Sequence, residues 1–239
     1  MEDWKQAVAL SKFELRNSKK AVFPLGFMLI VYAFLMISAA PQLVESMFYD
    51  IFFLIYIGMA ASWAKPKEFQ LSKMKNGSWM SPYFVWLHQL PIRKEILIKN
   101  RFVIYYAYSI PANMLFLVAI YAFSESIRTI LTFPEYAAFT IIWLSFGIYW
   151  GTAFPLTDVG EVKKMGSFKM WLYTVLFFAV VVGGVFLLQR FTGYGVVYGS
   201  MLLAKNWPLL SSLLSIIAAV VCTKIALRQA NKKLMEIDY

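Results

Sequence analysis

The chain has 239 residues, of which 60% are hydrophobic and 18% aromatic while only 15% are charged. An average soluble domain is roughly 45–50% apolar, and a body this small cannot hide the excess, so a mean hydropathy of +0.62 excludes an ordinary water-soluble domain. The net charge of +10 invites a nucleic-acid partner, but the basic residues gather between apolar runs, where membrane topology accounts for them and no nucleic acid is needed.

The first twenty residues, MEDWKQAVALSKFELRNSKK, offer no short apolar core followed by a small-residue cleavage site, so no removable signal peptide is expected. On helical spacing Trp4, Val8, Ser11 and Leu15 share one stripe with Ala7 beside it, and Lys5, Lys12, Arg16 and Lys19 gather on the other flank. Leu10 and Phe13 fall off the pattern. This predicts an amphipathic interface helix at the lipid boundary, with Trp4, Val8 and Leu15 as its apolar contacts.

Six apolar runs come next, at 21–40, 44–64, 102–123, 137–157, 170–188 and 209–227. Crossing ~30 Å of hydrocarbon at ~1.5 Å per residue takes ~20 residues, which each run approaches. A spanning strand needs only ~10 residues and alternates polar with apolar, unlike AVFPLGFMLIVYAFLMISAA. The expected fold is therefore all-α and integral to the membrane, with six transmembrane helices in a single domain over 1–239, since no repeat or linker divides the chain. Pro111 is expected to kink the third span. Gly147 with Gly151, and Gly183 with Gly184, are candidates for close helix approach.

Glu45 and Asp50 are the only acids within the predicted spans. They either face a translocation path inside the bundle or lie at the outer surface, because the start of the second span decides their depth.

Two connections are long. Residues 65–101 carry eight basic residues and stay in water; residues 189–208 carry just Arg190 and Lys205, are rich in glycine and aromatics, and are too short and broken for a full span, so they are expected to form a re-entrant or interfacial hairpin between the fifth and sixth spans. With the N-terminus in the cytoplasm, 20 of the 23 basic residues fall on the cytoplasmic side and only Arg128, Arg190 and Lys205 outside. Six spans return the C-terminus to the same side.

The residues give little material for catalysis. His88 is the only histidine and Cys222 the only cysteine, which excludes an HExxH zinc pair, a His/Cys metal site and an intrachain disulfide. No spacing favours a serine paired with His88, and no GxxxxGK[ST] phosphate loop is present. The chain is not expected to be an enzyme, to bind a cofactor or to hold a metal.

The most informative stretch is YFVWLHQLPIRKEILIKNRF, residues 83–102. Pro91 fixes a break, and the residues after it are predicted to form a short helix with Ile92, Ile96 and Val103 on one face, Leu97 and Ile98 on another, and Arg93, Lys94 and Glu95 exposed between them. Apolar residues on two sides suit a helix that touches its own bundle and a partner, and equally a helix lying on anionic lipid.

The string Leu90-Pro91-Ile92-Arg93-Lys94-Glu95-Ile96, followed by Leu97 and Lys99 and placed between the second and third of six spans, resembles the signature of ABC-2-type permeases, the membrane subunits of bacterial ATP-binding-cassette exporters. The resemblance implies that Leu90 to Leu97 form a cytoplasmic coupling helix docked on a dimeric ATPase subunit, which alone binds ATP and magnesium. It also implies an N-terminal interface helix, re-entrant helices before the last span, a second permease chain, identical or related, and a place in the bacterial cell membrane with both termini cytoplasmic. Weakly charged, aromatic walls suit an amphipathic or apolar cargo such as a peptide, lipid-like molecule or drug. The rivals are a stand-alone secondary transporter or channel, with polar groups at mid-membrane in several helices, and a non-transporting membrane scaffold or immunity protein. Single cysteines placed at Lys75, Arg128 and Lys163 test the topology with an impermeant thiol reagent on intact cells. Only the one at 128 is expected to react, and outside labelling at 75 or 163 would overturn the orientation.

Overall fold

The computed structural model describes residues 2–19, 22–44, 46–60, 62, 70–74, 77, 79–159 and 167–235. Five stretches are long and apolar enough to cross a membrane: Val22–Gln42, Lys94–Phe123, Phe133–Asp158, Phe168–Thr192 and Pro208–Met235. The protein is an all-α multi-pass membrane protein, with one two-residue antiparallel pairing, β1 (Ser72–Lys73) with β2 (Trp79–Met80), as its only sheet among the described residues.

Helix α1 (Glu2–Asn17) precedes α2 (Val22–Ala39), which tightens into a 3-10 turn at Ala40–Gln42 where Pro41 cannot continue the α ladder. Helix α3 (Met47–Met59) lies within the second span predicted over 44–64, of which positions 45, 61, 63 and 64 fall outside the described residues. The described helix has 13 residues, about 20 Å of rise against ~30 Å of hydrocarbon. The preceding Ser46 is extended, which delays the helix start.

Expectation and structure differ at the third span. Helix α4 (Pro82–His88) is short, but it precedes Pro91; after Pro91 the chain enters α5 (Lys94–Phe123), which continues without interruption for 30 residues. The separate short helix expected after the proline is thus the first two turns of α5. Nothing from Lys94 to Tyr108 breaks a helix, and α5 runs on through Pro111. At about 45 Å it exceeds the hydrocarbon by ~15 Å, so its charged start projects beyond the apolar layer.

Helix α6 (Glu125–Ile130) turns the chain into α7 (Phe133–Gly151), which Thr152 separates from α8 (Ala153–Asp158). Helix α9 (Phe168–Thr192) ends at Gly193, whose φ of 79° is the left-handed conformation that only glycine adopts cheaply. Regular helix α10 (Val196–Asn206) comes next, so residues 189–208 form a helix-turn-helix joint with no irregular backbone beyond its two short breaks, and Pro208 opens the last helix, α11 (Pro208–Met235).

The main core joins α2, α3, α5, α7 and α10. Phe53 sits at its centre, with ring centroids 5.5 Å from Phe116, 6.1 Å from Phe139 and 4.6 Å from Trp143, while Tyr56 stacks on Phe116 at 4.0 Å. Such offset and edge contacts add to the area term of aromatic burial. Helix α11 approaches the bundle through Ala219, Ala226 and Ala230, small residues that let backbones come close. Glycine serves the same end in α7: a side chain at Gly151 would overlap the Tyr105 hydroxyl, and a Cβ at Gly147 would lie 2.6 Å from Asn113 Nδ2. Gly183 and Gly184 face open space, so they are not packing glycines. Their helix, α9, buries only Val185.

Candidate functional site

A second, smaller core closes one end of the bundle. Phe84 and Leu87 of α4, Leu97, Ile98 and Phe102 of α5, Val159 after α8, and Ala226, Ala230 and Leu234 of α11 are all buried there, with Leu90 and Ile92 packed against them. The predicted docking string is consequently split. Leu90 and Ile92 are half-buried, Ile96 and Leu97 are buried, and only Pro91, Arg93, Lys94 and Glu95 are exposed. Both apolar faces read from the sequence are used inside the bundle, which leaves a polar surface for any partner.

Local structure explains the exposure. Ser81 caps α4, its hydroxyl accepting from the Phe84 N–H at 3.4 Å, and α4 ends at His88. His88 is held below the ordinary imidazole value first by burial and then by the charge of Lys94. The next turn closes with Ile92 N–H donating to the Leu90 carbonyl at 2.7 Å. Arg93 is then the N-cap residue of α5, and the Ile96 N–H donates to its carbonyl at 2.9 Å.

Helix α1 is strapped along this start of α5. The face it buries is Ala7, Ser11, Glu14 and Ser18, while Trp4 and Val8 are 38% and 42% exposed and Leu15 is half-buried. Trp4 and Val8 of the expected stripe thus stay largely off the bundle while its Ser11 and neighbouring Ala7 pack on it, and the packing face is small and polar because the partner helix presents polar groups. Arg101 donates from Nη1 to Glu14 Oε1 at 3.2 Å and from Nη2 to Glu14 Oε2, and its Nε–H donates to Asn100 Oδ1 at 3.0 Å. Asn100 Nδ2 donates to Ser11 Oγ at 2.8 Å, and Ser11 in turn donates to the Ala7 carbonyl. At the helix start, Asp3 pairs with Arg93 and accepts from Lys99 Nζ at 2.9 Å. The Lys99 hydrogen bond, followed by the charge of Arg93, holds the Asp3 carboxyl below the usual carboxylate value. Lys99 also lies 5.8 Å from the Trp4 ring centroid, a cation–π distance. Asp3, Ser11 and Glu14 meet α5 in rising order, so the two helices run in the same direction.

A groove of about 410 Å³ opens beside the string, lined by Arg93, Lys94, Glu95 and Ile98 of α5 and by Asn231, Leu234 and Met235 of α11. A larger apolar cavity of about 520 Å³ lies between α3, α7, α8 and α9, with Ile51, Ile55, Trp150, Phe154, Phe177 and Val181 among its walls. That volume is in the range of small-molecule sites, ~300–1,000 Å³.

Of the two acids expected in a path, Glu45 lies outside the described residues, and Asp50 is fully buried with a backbone role. Its Oδ1 accepts from the Val197 N–H at 2.8 Å and its Oδ2 from the Val196 N–H at 3.1 Å. Asp50 thus caps α10 from another helix, satisfying orphan donors at a helix N-terminus. Gly195 is what permits the approach, because a side chain there would overlap the Asp50 carboxylate.

One polar group is hidden within the apolar third span: Tyr105, Ser109 and Asn113, four residues apart on α5. Tyr105 donates to the Gly147 carbonyl at 2.7 Å, Ser109 donates to Tyr105 Oη at 3.2 Å, and Asn113 Nδ2 donates to the Ile57 carbonyl at 3.1 Å. The regular spacing was the signal that could have found it. Among the described residues no three His, Cys, Asp or Glu side chains are grouped to hold a metal.

The chain matches no family model, no curated protein and no solved structure.

Two stability effects are expected from these contacts. Arg101→Leu strands Glu14 in a buried site, and the expected loss is about 3–5 kcal/mol, with the Glu14→Leu/Arg101→Leu double variant recovering most of it; a double-mutant cycle on thermal unfolding in detergent checks this, and additive losses would refute the coupling. Asp50→Asn loosens α10 by taking the charge from its acceptor, at an expected cost of about 1.5–3 kcal/mol, and Gly195→Ala loosens it because a side chain there would overlap the Asp50 carboxylate. Hydrogen exchange over residues 196–206 should speed up in both variants while residues 94–101 stay unchanged.

Proposed function

We propose that this chain is the membrane permease subunit of an ATP-binding-cassette exporter, driven by a separate ATPase subunit. The observation that carries the reading is the string from Leu90 to Leu97, which resembles the docking segment of ABC-2-type permeases and exposes Arg93, Lys94 and Glu95 beside an open groove. In this reading α3 is the sixth crossing, α10 with its flanking turns is the re-entrant element, and the coupling element is the α4–α5 junction, not a free-standing helix. The basic end faces the cytoplasm with both termini, in the cell membrane of a bacterium.

The proposed cargo is amphipathic or apolar. The 520 Å³ cavity supports this, since its walls are aliphatic and aromatic and one of them is α9, the helix with the least burial. A second permease chain, identical or related, completes the path, and ATP and magnesium stay in the ATPase dimer. Closure of that dimer shifts the permease between two conformations only as far as it binds one of them more tightly.

The buried Tyr105, Ser109 and Asn113 group favours one rival, a secondary transporter, because polar side chains at mid-membrane commonly mark ion paths. Among the described residues Asn113 Oδ1 has no hydrogen-bond partner. One preparation separates the readings. Purified with its genomic neighbours, the chain is expected to recover an ATPase subunit, and Arg93→Ala/Lys94→Ala/Glu95→Ala is expected to lose it by ~10-fold or more, as for a charged docking surface. Recovery of no ATPase, together with cargo uptake driven by an ion gradient alone in proteoliposomes, would overturn the exporter reading in favour of the rival.

A further inference from the structure

We propose that the groove between the start of α5 and the end of α11 receives an acidic, partly apolar segment of a soluble partner protein. The proposal rests on the docking reading only in putting this end of the bundle in the cytoplasm. It adds a second wall, on α11, that the string at Leu90 to Leu97 does not contain.

The floor of the groove is apolar and fixed. Ile98 and Leu234 line it and are each 1% exposed, both belonging to the second core. The lip is Met235, 73% exposed, an unbranched and polarizable side chain suited to repacking around an incoming apolar group. Asn231, half-buried on the α11 wall, adds a side-chain amide able to donate and accept.

Charge selects the occupant. Arg93 and Lys94 are exposed on the α5 wall, and Lys232 and Lys233 are exposed in the last turn of α11, with Arg228 one turn earlier. Of the acids here, Asp3 is held by Arg93 and Lys99 and Glu14 by Arg101, while Glu95 lines the groove itself, 64% exposed with Lys99 at 3.9 Å, so the basic side chains still outnumber it. Arg93 keeps most of its surface in water despite its pair, with its side chain 63% exposed. A basic rim over an apolar floor matches a segment that carries carboxylates beside one or two apolar side chains. A basic segment would be repelled by Arg93 and Lys94 on the α5 wall and by the lysines next to the α11 wall.

A photo-crosslinking residue placed separately at Lys94 and Asn231 in the full chain, in cells, tests this, with Lys12 on the far side of α1 as control. The expected result is one soluble protein joined at both groove positions through the same short stretch, rich in Asp or Glu and containing an apolar residue, and not joined at Lys12. Lys94→Glu/Lys232→Glu is expected to lower the Asn231 adduct by ~10-fold or more while Lys12→Glu leaves it within about twofold, as for a local charge contact. Adducts to lipid only, to residues 236–239 of the chain itself, to basic stretches, or to unrelated proteins at the two positions would overturn the proposal. If the joined protein lacks a phosphate loop, the groove assignment holds and the ATPase reading falls. If an ATPase co-purifies and is joined at Lys94 but not at Asn231, the docking reading holds and the groove assignment falls.

Discussion

Glu14 and Asp50 are carboxylates buried in a protein whose helices are built mainly of apolar residues. Leaving an ionised carboxylate without partners in such surroundings costs many kcal/mol. Each one must therefore recruit donors, and the placement of whole helices depends on which donors are in reach. Glu14 takes a guanidinium, which binds α1 to α5 at the edge of the apolar layer. Asp50 takes two backbone N–H groups, which fixes the start of α10 against α3. The two solutions differ in kind. An Arg–carboxylate pair ties two side chains, so either helix can be redesigned if both partners change. A carboxylate on a helix N-terminus ties a side chain to backbone geometry, and it demands Gly195 because nothing larger fits between.

This difference also explains what was legible in the sequence. Length and hydropathy reveal α2, α7, α9 and α11 as long apolar helices because lipid exposure leaves a continuous apolar record. They mislead at α5, where Arg93, Lys94 and Glu95 look like a loop or a separate helix; charge reports distance from lipid, not the end of a helix. In α1 the periodicity is genuine but does not show which part of the helix packs on the bundle. Trp4, Val8 and Leu15 form the apolar stripe, yet Ala7, Ser11, Glu14 and Ser18 do the packing, since the surface they meet carries Asn100 and Arg101. The Asp50 contact is hardest to read. Its partners lie 146 and 147 residues away and are backbone groups, which any sequence possesses.

The same contacts divide the molecule mechanically. The aromatic core around Phe53 joins five helices, whereas α9 touches the rest along little of its length. Among the described residues, helix α5 is the one element with buried residues in both the second core and the aromatic core. It begins with the exposed Arg93, Lys94 and Glu95, carries α1 through Arg101, and is held at mid-length to α7 by Tyr105 and to α3 by Asn113.

Pro111 lies between Ser109 and Asn113, and its missing N–H removes one rung of the helical ladder at that level. A helix is most easily bent where a rung is absent, and here the side-chain bonds to α3 and α7 flank that point. Force applied at the exposed start of α5 therefore has a defined route. It moves α1 and the first turns of α5 together, because the Glu14 pair makes them one unit, and it meets the bundle first at the Tyr105 contact with α7. Helices α3, α7 and α9 all wall the 520 Å³ cavity, and α9 is the one that the fewest contacts oppose. A push at the basic end that rotates α7 or α3 would thus change the cavity more readily through α9 than through the aromatic core, where Phe53 packs on Phe116, Phe139 and Trp143.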